Sequence, residues 1–153
     1  MAVQGQRDNE NKPFIIGDEG EARRVTFARD VTRSSADIER YTVVTRNPTT
    51  GLWWAYTDVD AVDGTQWPQG IVMETVDGAA LHLANITDVA VLKGNALCDE
   101  DQLVLENSLT LASIIDFDDA GSDLNQINTT IEQELRKLNI RFADTIDITE
   151  LEA

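Results

Sequence analysis

The stretch Trp67-Pro68-Gln69-Gly70-Ile71-Val72-Met73-Glu74-Thr75-Val76-Asp77-Gly78-Ala79-Ala80-Leu81-His82-Leu83-Ala84-Asn85-Ile86-Thr87-Asp88-Val89-Ala90-Val91-Leu92-Lys93-Gly94-Asn95-Ala96-Leu97 decides how this chain folds. It holds two apolar runs, Gly70 to Val76 and Val89 to Leu97. Each is of strand length, rich in β-branched residues and bounded by Gly, Pro, Asp or Asn, the pattern of a buried strand. Between them Asp77-Gly78 opens a connector with turn chemistry, because Gly accepts positive φ and Asp bonds its own backbone. The two runs read as central strands of a small β domain.

Outward from that pair, Arg23 to Phe27 suits a short strand. Arg40 to Arg46 and Leu52 to Tyr56 suit a hairpin across Asn47-Pro48-Thr49-Thr50-Gly51. Adjacent Trp53 and Trp54 must point to opposite strand faces, so one can enter the core and the other needs a second surface. Asp99 to Val104 starts as a helical turn with acids at its N-terminus. Leu109 to Phe117 is apolar and open to either assignment. Leu124, Ile127, Ile131, Leu135 and Leu138 form one apolar stripe, which predicts an amphipathic helix over 124–138 capped by Ser122 or Asp123. The fold class is therefore mainly β with one C-terminal helix (α+β). Thr145 to Thr149 alternates like an edge strand within the acidic tail.

Met1 to Lys12 is polar and cannot offset its own ordering entropy, so it is expected to be mobile in the free protein. Pro13-Phe14-Ile15-Ile16 then either orders on a partner by strand addition or forms the first strand of the body. The division that follows is a flexible arm at 1–16, a β-rich body at 17–142 containing the helix, and an acidic tail at 143–153.

Charge and composition exclude several function classes. Residues 1–50 carry eight basic and eight acidic side chains, residues 51–153 four and twenty, so the whole formal net charge of −16 belongs to the latter. Phosphate recognition needs the opposite sign, which disfavours direct nucleic-acid contact. The single Cys98 and single His82 cannot build a Cys/His zinc cluster within one chain. A Cys98–His82 nucleophile pair has nothing placing its members together. Asp58 to Gly64 fails as a calcium loop, since the fifth position is Val62, the sixth Asp63 and the twelfth Gln69. No nucleophile elbow, dinucleotide fingerprint or phosphate loop is present. No catalytic residue, cofactor or metal is expected. The N-terminus lacks the apolar run of a signal peptide and no stretch is long enough for a membrane span, so synthesis in the cytoplasm is expected.

The order Pro68-Gln69-Gly70-Ile71, Glu74-x-Val76-Asp77, then Val89-x-Val91-Leu92-Lys93-Gly94 with Asp99-Glu100-Asp101 behind it, resembles the head decoration proteins of lambda-type tailed phages. The resemblance covers roughly Gly17 to Arg141. It implies a small β-barrel-like or β-tulip-like body that assembles as a homotrimer. Such a trimer binds the major capsid protein on the outer surface of the expanded head at three-fold sites and cements the shell against internal DNA pressure. In that family the arm and the trimer base bear the shell contacts. Here they fall on Pro13, Phe14, Ile15 and Ile16 and on Arg23 and Arg24, with Trp53 or Trp54 at the seam between subunits. The tail beyond Arg141 has no match in the family. Two other classes stay open: an acidic DNA mimic or similar protein-binding inhibitor, and a hydrolase using clustered Asp with a metal.

Overall fold

The computed structural model describes residues 13–115 and 128–143. Along the chain run strands β1 (Ile15–Gly17), β2 (Glu21–Phe27), β3 (Val43–Arg46), β4 (Trp53–Ala55) and β5 (Gly70–Val72). Helix α1 (Gly78–Leu83) follows, then β6 (Ile86–Gly94), β7 (Ala96–Asp99), β8 (Ile114–Ile115), β9 (Thr129–Thr130), helix α2 (Ile131–Lys137) and β10 (Ile140–Ala143). Single 3-10 turns lie at Val31–Arg33 and Glu100–Gln102. The fold is mainly β. Strands β2, β4, β3, β5 and β6 close in that order into a barrel, β1, β7 and β10 form a second sheet, and β8 pairs with β9. The barrel pairs are antiparallel except β2–β4, whose register pair Phe27↔Trp53 closes the ring.

The apolar run at Gly70 reads as continuous because its strand is buried on both faces. Alternation sends Val44, Val72 and Val91 into the barrel with Phe27, Trp53, Ala55 and Val89. Their chain neighbours Val43, Ile71 and Leu92 point outward into a second core, with Phe14, Cys98, Ile115, Ile131, Leu135 and Ile140. The wall β3–β5–β6 is thus shared by two cores, a situation that demands unbroken apolar sequence. Gly70 sits in that wall because a Cβ there would lie 2.6 Å from the Leu92 carbonyl oxygen. Gly70→Ala should therefore cost about 1–3 kcal/mol, as overpacking does, measured as a shift of the urea midpoint.

The two runs pair as expected, through Ile71↔Leu92 and Val72↔Val91. Their bounds differ. The second run divides at Asn95, whose φ of 58° turns the chain out of the barrel, so Ala96 and Leu97 open β7 in the other sheet. The connector is not simply a turn. Asp77 accepts hydrogen bonds from the Ala79 and Ala80 amides and caps α1, and Leu81 is buried against the barrel interior.

The helix read over 124–138 begins only at Ile131 within the described residues; 124–127 lie outside them. Asn128 is not helical, and Thr129–Thr130 is extended and paired to β8. Thr130 and Gln133 form a reciprocal capping box that fixes the start. Of the predicted stripe, Ile131 and Leu135 are buried in the outer core. The expected boundary between body and acidic tail, at 142/143, lies within β10, which runs parallel to β7 as far as Ala143↔Asp99. Residues 145–149 lie outside the described residues, as does the segment 1–12. The 40–46 and 52–56 hairpin forms with the register Val44↔Ala55 and Thr45↔Trp54, across a turn in which Asn47 accepts from the Thr49 and Thr50 amides.

Candidate functional site

Each residue expected to make contacts has a definite place. Phe14 is 2% exposed and stacks on Tyr41 with ring centroids 4.1 Å apart. Ile15 and Ile16 are half-buried in β1, which pairs antiparallel with β7, and only Pro13 of the four is exposed. The boundary between arm and body expected after residue 16 thus falls inside a strand. The physical reason is that Phe14 fills the outer core, and that its carbonyl accepts from the Asp99 amide.

Arg23 and Arg24 are exposed on β2, in the run Glu21 to Arg24 where every side chain faces solvent. Arg24 donates to the Asp88 carbonyl at 2.9 Å and lies 3.9 Å from the Glu74 carboxylate. Of the tryptophans, Trp53 points into the barrel at 3% exposure, with Lys93 Nζ 5.5 Å from its ring centroid. A residue so placed has no surface left for a neighbouring subunit. Trp54 points out, half-buried, on the face it shares with Thr45.

That outer face forms one wall of a cleft of about 620 Å³. The 3-10 turn at Val31–Arg33, the loop 57–65 and Glu106-Asn107 supply the other walls. Arg33, 9% exposed, braces the cleft: it donates to the Ala36 and Asp37 carbonyls and pairs with Glu106, and its Nε lies 3.4 Å from Asp30. Asp58 and Asp63 fold their loop by accepting from the Asp60 and Thr65 amides. The hydroxyl and then the amide of Thr65 hold the Asp63 carboxyl below its usual range. Beside them the Tyr56 hydroxyl donates to the Gln66 carbonyl. Burial raises that phenol well above its ordinary range, with the Asp58, Asp60 and Glu134 charges adding to the effect. The cleft escaped the sequence reading because its walls come from four separated segments. Of these segments only Asp58–Gly64 stands out in the sequence, and there as a run of acids that fails as a calcium loop.

Cys98 is buried in the outer core, and that burial pushes its thiol up to about 12. His82 sits on α1, which closes the barrel interior through Leu81, so the two are not brought together. Among the described residues no three acidic, His or Cys side chains are grouped to hold a metal ion, and no helix is long and apolar enough to cross a membrane. No family model, curated protein or solved structure matches the chain.

Proposed function

We propose that this chain is a decoration protein of lambda-type tailed-phage heads, working by binding rather than catalysis. A homotrimer would sit on the major capsid protein at three-fold sites of the expanded shell, on the outer surface of the virion. The observation that carries this reading is the meeting of its sequence motifs. Pro68-Gln69-Gly70-Ile71 leads into β5, Val89-x-Val91-Leu92-Lys93-Gly94 forms β6, and the two are hydrogen-bonded neighbours in the barrel wall. Segments that share one structural unit can be retained together for one reason, which scattered matches could not. A binder of the expanded arrangement stabilises it by mass action, and three joined subunits raise its avidity without new contacts.

With Phe14 turned into the body, the groups that remain for the shell are Pro13, the half-buried Ile15 and Ile16, and exposed Arg23 and Arg24. Trp54 is the tryptophan left for the seam. The experiment has two parts. Light scattering should give the mass of three chains, and the trimer should co-sediment with expanded shells but not with unexpanded ones of the same phage. The Arg23→Glu/Arg24→Glu pair should weaken co-sedimentation at low salt more than at high salt, because exposed charges are screened within about 8 Å at physiological ionic strength. A monomer that ignores both shell forms would remove the reading.

A further inference from the structure

We infer that the cleft beside Trp54 is a docking pocket for a guanidinium group, carried as an arginine side chain on a partner protein. The inference rests on the cleft alone and does not require that the chain decorate a capsid. Its first ground is the balance of hydrogen-bonding groups. Thr32 and Thr65 donate their hydroxyls to Asp30 and Asp63, and Thr45 donates to the Trp67 carbonyl. The Arg33 guanidinium is held by Ala36, Asp37 and Glu106, and the Asn107 amide donates to the Thr57 carbonyl. These donors are therefore committed, while Arg33 Nε, 3.4 Å from Asp30, is buried without a hydrogen-bond partner. The acceptors are not committed: Asp58 and Asp63 fold their loop through Oδ1, and Glu106 meets Arg33 through Oε1, so each has a second carboxylate oxygen outside these bonds.

The second ground is charge and shape. Asp30, Asp58, Asp63 and Glu106 line the cleft with Arg33 as the only base. One wall is the outward, half-buried indole of Trp54. A ligand that fits must bring donors, positive charge and a flat face. Guanidinium has five donors and no acceptor, is weakly hydrated, and stacks on indole, the best aromatic partner for a cation. A neutral sugar would bring no charge to offset the carboxylates, and an anion would be repelled. An ammonium supplies charge but no plane. The cleft is larger than a guanidinium and its three-carbon stem fill, which leaves room for the flanking peptide and favours a protein-borne arginine over a free guanidino compound.

The test follows the Trp54 indole N–H by NMR, assigned with Trp54→Phe, during titration with acetyl-Gly-Arg-Gly-amide. Argininamide, the lysine tripeptide and maltose serve as comparisons. The arginine tripeptide should shift Trp54 saturably, more tightly than the lysine tripeptide or argininamide, and maltose should not shift it. Asp58→Asn with Asp63→Asn keeps the shape and the Oδ1 acceptors, so the Trp53 and Trp67 signals should stay in place as the sign of an intact fold. Affinity should fall about tenfold, the combined size of two partly screened ion pairs. A shift caused by maltose, an arginine shift indifferent to the double substitution, or no saturable shift at all would each overturn the pocket. Argininamide binding as tightly as the tripeptide would overturn the protein-borne source.

Discussion

Phe14→Ala is expected to destabilise the folded chain by about 3–5 kcal/mol, the cost of deleting a buried aromatic ring. The ring is almost fully enclosed and lies 10° from parallel with Tyr41. Offset-stacked aromatic pairs add about 0.5–1.5 kcal/mol beyond their buried area. Its backbone is held as well, since the Asp99 amide donates to the Phe14 carbonyl at 2.7 Å and Gln102 Nε2 donates to the Pro13 carbonyl at 3.3 Å. Ile16→Ala, at a half-buried position of the same strand, should cost less. Urea unfolding followed by tryptophan fluorescence measures both. The comparison also separates two roles for this segment. If Phe14 belongs to the core, its removal weakens the fold in the absence of any shell. A loss below about 1 kcal/mol, typical of an exposed site, would mean that β1 is undocked in solution and that Phe14 is free to anchor on a partner.

What the sequence made legible follows from where the physics is local. The hairpin of β3 and β4 was readable because Asn47 and Gly51 write the turn into the chain, with Gly51 at φ 75°. The capped 3-10 turn after Asp99 was readable for the same reason, since Asp99 accepts from the Asp101 amide two residues on. Helix α1 was not. Asp77-Gly78 signals a turn, and six residues hold too few apolar positions to show a helical period. What requires Gly78 is tertiary: a Cβ would lie 2.0 Å from the Ala36 carbonyl oxygen. The break at Asn95 was hidden because apolar residues continue on both sides of it, although they belong to different sheets. The true start of α2 was present as Thr130 and Gln133, but a longer apolar stripe overrode it. The cleft was the least legible feature. Arg33 and Glu106 meet across 73 positions of sequence, and no local pattern records such a contact.

The tryptophan pair gives the second large effect, and the contrast within it carries the information. Trp53→Ala should cost about 3–5 kcal/mol, because it empties the barrel where β2, β3 and β4 converge. Trp53 pairs in register with both Phe27 and Arg46. Its loss also removes the ring beneath Lys93, a contact worth about 0.5–1 kcal/mol where exposed. Trp54→Ala, one residue on, should change the stability of the single chain by less than about 1 kcal/mol, because the indole packs on the outer wall and fills no core. Light scattering then assigns the outer ring. If Trp54→Ala leaves urea stability in place but reduces the mass from three chains to one, the outer face of β4 is the seam between subunits. If the variant keeps the parent's oligomeric state yet no longer binds the arginine tripeptide in a calorimetric titration, the ring belongs to the cleft alone. Equal destabilisation by the two substitutions would contradict the opposite facing of adjacent strand residues and with it the placement of Trp53 inside the barrel.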